Sequence, residues 1–172
     1  MSYSPRLLFA ALAWAAPLFA TPGLSDLPPR IVAPTDKAEF RHFTLDNGLK
    51  VLLVSDPKFN KSGASLVVAT GQIDDPFDMV GLAHFTEHML FLGTEKYPDV
   101  ASYSAFISQN GGGRNAYTTT DHTNYQFQVR HEAFPEALDR FAQFFIAPLI
   151  NADFTAREVN AVNNEAMRHV RI

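Results

Sequence analysis

Between Arg41 and Val54 two β-prone runs, Arg41 to Leu45 and Leu49 to Val54, flank Asp46-Asn47-Gly48. Asn-Gly suits a tight turn with positive φ, so the stretch predicts a β-hairpin. A third strand is expected over Ala64 to Thr70, ended by Gly71. The period then changes. From Met79 to Leu92, at about 100° per residue, Leu82, Phe85, Met89 and Leu92 fall on one side, and His84, Glu87, His88 and Phe91 on the neighbouring stripe. That predicts a helix stopped near Gly93. A second helix is expected from Val100 to Gln109, closed by Gly111 to Gly113. Two further β-prone runs, Asn115 to Thr119 and Thr123 to Val129, read as an antiparallel pair. A third helix covers Glu132 to Ile146, with Phe134, Leu138, Phe141 and Phe145 on one face and Pro135 in its first turn. A fourth begins near Asp153 or Thr155, where Thr155 and Glu158 have capping-box spacing, and is still helical in pattern at Ile172.

Strands, two helices, strands and two helices in that order favour an α+β fold, a mainly antiparallel sheet with helices packed on one face. A helix still unclosed at its last residue leads us to expect a piece of a longer chain, truncated at the C-terminus. The expected organisation is 1–20 as a secretory signal peptide, 21–38 as a Pro-rich extended leader, and 39–172 as an incomplete N-terminal domain. The signal reading rests on Arg6, the apolar stretch Leu7 to Phe19 and the small Ala20 before Thr21. It predicts a secreted, periplasmic protein with no stable membrane span after signal cleavage; the single basic residue and Leu18 near the cleavage site leave an uncleaved membrane anchor as the alternative. Pro22, Pro28, Pro29 and Pro34 keep the leader out of a helix.

Composition narrows the chemistry. With 172 residues, 47% of them hydrophobic and 15 of them Phe, the chain can bury a core. A net charge of -4 without a Lys/Arg cluster gives no reason to expect nucleic acid as a partner. The absence of cysteine removes disulfides, thiolate metal sites and cysteine nucleophiles together. Any metal must therefore be held by nitrogen and oxygen.

Against that background "GLAHFTEHMLFLGT" stands out. Four residues apart on a helix, the imidazoles of His84 and His88 can converge on one metal ion. Glu87 lies beside them without having to bind, placed to take a proton from an activated water. The order H-x-x-E-H inverts the H-E-x-x-H zinc-peptidase motif. A histidine pair on a helix can equally be satisfied packing, and a catalytic zinc needs a third protein ligand. Glu95, His122, His131, Glu158, Glu165 and His169 are the candidates. Glu158 and Glu165, seven apart with Val162 between them, present their carboxylates to the same side of one helix.

Three stretches, "GLAHFTEHMLFLGTEKYP", "NGGGRNAYTTTDHTNYQFQV" and "REVNAVNNEAMRH", resemble the pitrilysin/insulinase family of zinc metallopeptidases, and the resemblance runs from about Phe40 to the end. It implies one Zn2+ per chain bound by His84, His88 and Glu165, Glu87 as general base, and Glu158 as an outer carboxylate supporting the site. Asn115 and Ala116 match the edge strand that pairs with an extended peptide. The implied function is a zinc-dependent metalloendopeptidase acting on peptides or small unfolded proteins. Its other partners would be the remaining domains of a longer chain, so the segment alone is expected to be inactive. The alternative, a non-catalytic structural or partner subunit of the same fold, sits poorly with the intact His84, Glu87, His88 and Glu165.

Overall fold

A computed structural model describes residues 31–170, so the expected signal peptide and most of the expected leader lie outside the described residues. The chain divides into two units, residues up to Ala38 and Glu39–Ile172. The second unit carries every element named below.

The first hairpin forms as β1 (Glu39–Thr44) and β2 (Lys50–Ser55), paired antiparallel with Phe40 opposite Val54 and Phe43 opposite Val51. Gly48 takes φ 85°, the left-handed value that the Asn-Gly turn demands, and Asn47 Oδ1 accepts from Leu49 N. β1 and β2 make a sheet of their own rather than extending the main one, and Phe40, Phe43, Leu52, Leu53 and Val54 stay exposed.

The main sheet has three antiparallel strands in the order β3 (Lys61–Val68), β5 (Thr123–Arg130), β4 (Gly113–Thr118). The central strand alternates strictly beyond Asn124. Tyr125, Phe127 and Val129 point into the core, while Gln126, Gln128 and Arg130 point outward. Onto the apolar face pack α1 (Leu82–Leu90), α2 (Ser102–Gln109) and α3 (Phe134–Ile146). Leu90, Tyr103, Ile107, Ala137, Phe141 and Phe144 complete that core with the three β5 residues. Burying each large side chain contributes about 1.5–3 kcal/mol. The aromatic members meet edge-on or tilted, Tyr103 with Phe144 at 4.8 Å and Phe127 with Phe141 at 5.1 Å between ring centres. This is the α+β architecture that the element order implied.

α4 (Thr155–Val170) packs on α1. Its expected capping box does not form, because Thr155 is already helical at φ -52° and ψ -52° rather than the cap, and the Glu158 carboxylate turns to His88 and Arg157. A short 3-10 turn, Ala152–Phe154, leads into the helix instead, with Asn151 Oδ1 accepting from Asp153 N. Among the described residues no helix is long and apolar enough to cross a membrane.

Two boundaries differ from expectation for reasons that matter to the site. α1 starts at Leu82 rather than Met79. Gly81 has φ 94°, and the carboxylate of Asp75 takes the amides of Gly81 and Ala83 at 2.7 and 2.8 Å, so the chain from Pro76 to Val80 loops outside the helix. β4 starts at Gly113, two residues early. At Gly112 a Cβ would lie 2.1 Å from the Gln128 carbonyl oxygen, so glycine is what lets the backbone come in close enough to begin pairing there.

Candidate metal centre

The first turn of α1 has free backbone amides and a partial positive charge, and Asp75, from outside the helix, meets both. Anchored in this way, α1 lies over β4 and against α4. Its stripe of His84, Glu87 and His88 faces the seam between them.

The two imidazoles present their Nε2 atoms to each other at 3.3 Å. From α4, Glu165 Oε2 comes to 3.3 Å from His84 Nε2 and 3.8 Å from His88 Nε2. Ligands bound tetrahedrally at zinc distances stand about 3.3 Å from one another, so this triangle has the size a zinc ion requires. Among the described residues it is the one group of three His or carboxylate side chains whose donor atoms all lie within 4.8 Å of one another. Nitrogen and oxygen donors of this kind suit zinc. The Glu165 side chain is 44% exposed, so the triangle is open to solvent on its side.

Behind His88, Nδ1–H donates to Glu158 Oε2 at 3.0 Å, which fixes the tautomer and leaves Nε2 as a lone pair directed into the triangle. The other oxygen of Glu158 accepts from Arg157 Nε at 2.7 Å. Burial pushes the Glu158 carboxyl up, but the hydrogen bonds and charges of His88 and Arg157 outweigh it and hold the group below the ordinary glutamate range. Glu158 and Glu165 therefore share a face of α4, as their spacing implied, with Val162 between them opposite Gly81.

Glu87 is buried at 6% exposure, and its Oε2 accepts from the Thr118 hydroxyl at 2.7 Å. Close by, burial and then the charge of Glu87 push the Tyr125 phenol upward.

Of the remaining third-ligand candidates, the side chain of His169 lies outside the described residues, and Glu95, His122 and His131 lie elsewhere. Glu95 is exposed. His122 Nδ1 meets Asp121 at 2.8 Å and Thr119 Oγ1 at 2.9 Å in the β4–β5 turn. His131 links Ser62 at 2.7 Å to the Phe59 carbonyl at 2.9 Å. Asn115 and Ala116 lie on β4, the edge of the sheet. Asn115 lines an open trough of about 560 Å³ with Gln126 and Gln128 on the face away from the helices, and Ala116 packs against the core.

Sequence reasoning missed Asp75, Arg157 and Thr118. For Thr118 a signal existed, since two residues on from Ala116 it must share that residue's face. Asp75 offered none, because a contact across a loop has no period.

Residues 50–171 match the family described as Insulinase (Peptidase family M16). The chain is 53% identical to human (Homo sapiens) insulin-degrading enzyme over 138 residues, 80% of this chain and 14% of that protein. To the A-factor-processing enzyme of Saccharomyces cerevisiae it is 48% identical over 136 residues, 79% of this chain and 13% of that protein. A crystal structure of pitrilysin superposes with a TM-score of 0.75 at 40% identity, over 79% of this chain and 14% of that one. The chain thus spans about one seventh of the relatives it matches. Match and geometry agree on a single conclusion: this chain belongs to the insulinase family, peptidase family M16.

Proposed function

We propose that the complete protein is a zinc-dependent metalloendopeptidase and that this segment carries the metal ligands and general base of its active site. The observation that carries the reading is the triangle of His84, His88 and Glu165, with Glu87 on the same stripe of α1 as the two histidines. His84, His88 and Glu165 would hold the metal. Zinc bound there supplies a Lewis acid that makes water nucleophilic near neutral pH.

The rest is done by the chain's own groups. Glu87 accepts the proton of the attacking water and returns it to the leaving amine. Glu158, through His88 Nδ1, holds the ligand in its coordinating tautomer. Among the described residues β4 pairs on one side only, and along its outer edge an extended peptide can align beside α1, with Asn115 and Ala116 at the centre of the strand. Main-chain pairing is indifferent to side chains, which suits peptides or small unfolded proteins of many sequences as substrates. The relatives' names, insulin-degrading enzyme and A-factor-processing enzyme, fit peptide-sized substrates. Export rests on the expected signal peptide, residues 1–20, alone.

The test uses the complete protein. Glu87→Gln should retain about one zinc and lose cleavage of a fluorogenic peptide by about 10²–10⁴-fold. Glu165→Ala should lose both zinc and cleavage. Unchanged cleavage in either variant would overturn the assignment.

A further inference from the structure

A general base works only if its carboxylate is held with one oxygen toward the water, and α1 alone does not hold Glu87 in that way. The residue that does comes from the edge strand. Thr118, the last residue of β4, donates its hydroxyl to Glu87 Oε2 at 2.7 Å. Among the described residues Glu87 Oε1 has no hydrogen-bond partner.

The proton assignments support this direction. Thr118 Oγ1 lies 3.3 Å from Thr123 Oγ1, directly opposite in the β4–β5 register. Thr123 is 4% exposed, and its single proton goes to the Thr70 carbonyl at 2.9 Å. A hydroxyl has one proton to give, so Thr123 has none left for Thr118. Thr118 then chooses between a neutral oxygen at 3.3 Å and a carboxylate oxygen at 2.7 Å, and the shorter, charge-assisted bond is the stronger. Thr123 and the Thr70 carbonyl thereby fix the rotamer environment of Thr118 from the sheet side.

We propose that Thr118 is a positioning residue for the Glu87 carboxylate, tying Oε2 to the edge strand so that Oε1 is the oxygen presented to water. This rests on the reading of Glu87 as general base. It also gives β4 a second role. The strand along which a peptide would align carries the hydroxyl that orients the base, so strand and base are set in one frame. A strand displaced by a fraction of an ångström would move both together.

The experiment compares Thr118→Val, Thr118→Ala, Thr118→Ser and Glu87→Gln in the complete protein, reading kcat and KM on a fluorogenic peptide and zinc content by elemental analysis. A hydrogen bond to a charged group predicts that Val and Ala each lower kcat by about tenfold or more. KM and zinc should stay within about twofold, and Ser should restore kcat. Val and Ala variants that keep the wild-type kcat while Glu87→Gln abolishes turnover would overturn the proposal and leave the general base standing. So would a Ser variant as impaired as Val, because the hydroxyl would then not be the cause. Full turnover in Glu87→Gln would instead overturn the general-base reading on which the proposal rests.

Discussion

Replacing Glu158 with glutamine keeps the size and shape of the side chain and removes only its charge and one acceptor. Glu158 sits behind His88 with its side chain 11% exposed, and it bridges His88 Nδ1 and Arg157 Nε through its two oxygens. A glutamine has one oxygen and one NH2 group for these two donors. If the oxygen faces His88, the NH2 faces the Arg157 Nε–H, donor against donor. If the NH2 faces His88, Nδ1 must become the acceptor and the ring proton moves to Nε2, into the triangle where the lone pair is needed.

Either arrangement takes the anionic acceptor away from His88 Nδ1–H, a charge-assisted bond worth about 1.5–3 kcal/mol where Glu158 is only 11% exposed. Because the loss falls on the metal-binding tautomer, zinc affinity should drop about tenfold to hundredfold, in line with substitutions behind other metal-ligating histidines. Competition against a chromophoric zinc chelator measures this directly, with the thermal midpoint of the metal-free protein as the control for folding. Arg157→Ala should cost less than Glu158→Gln, since its side chain is 58% exposed and its charge is screened. Zinc affinity within twofold of wild type in Glu158→Gln would refute the claim that this carboxylate sets the state of His88.

Gly112→Ala should destabilise the protein by about 1–3 kcal/mol, because its Cβ would meet the Gln128 and Ile107 carbonyl oxygens at 2.1 and 2.9 Å; denaturant unfolding would show it, and an unchanged midpoint would contradict the close approach. Asp139 is held below the usual carboxylate range by hydrogen bonds from Lys96 and Tyr97. A depressed folded pKa means that its stabilisation is complete above the unfolded value of about 3.9 and is lost as pH falls through the folded one. Asp139→Asn should thus melt earlier than wild type at neutral pH, with the gap closing in acid; a gap independent of pH would exclude the ionised carboxylate as its source.

Periodicity alone carried much of this site. The four-residue step from His84 to His88 and the seven-residue step from Glu158 to Glu165 are local facts about a helix, so their faces could be read without knowing what lay opposite. The spacing left six candidates for the third ligand, because which of them meets α1 depends on how α4 docks. The separate sheet of β1 and β2 was equally illegible, since alternation predicts a strand and not its neighbour. The start of α1 was misjudged for the same kind of reason. Met79 and Val80 continue an apolar pattern that a helix could use, but Asp75 claims the Gly81 amide from six residues away and moves the first turn.

The seam between α1 and α4 has one more consequence, in the kinetics of opening rather than in chemistry. Among the described residues α4 packs chiefly on α1, and Val159 and Met167 on it are about half exposed, so within this segment little apolar burial ties the helix down. A metal held by His84, His88 and Glu165 would close a loop of roughly 80 residues, as a cross-link does, and would raise the cost of every excursion in which α4 detaches. Chelation should therefore show itself first as fast amide exchange and proteolytic nicking along α4, while the amides of β5 stay protected until the whole domain unfolds.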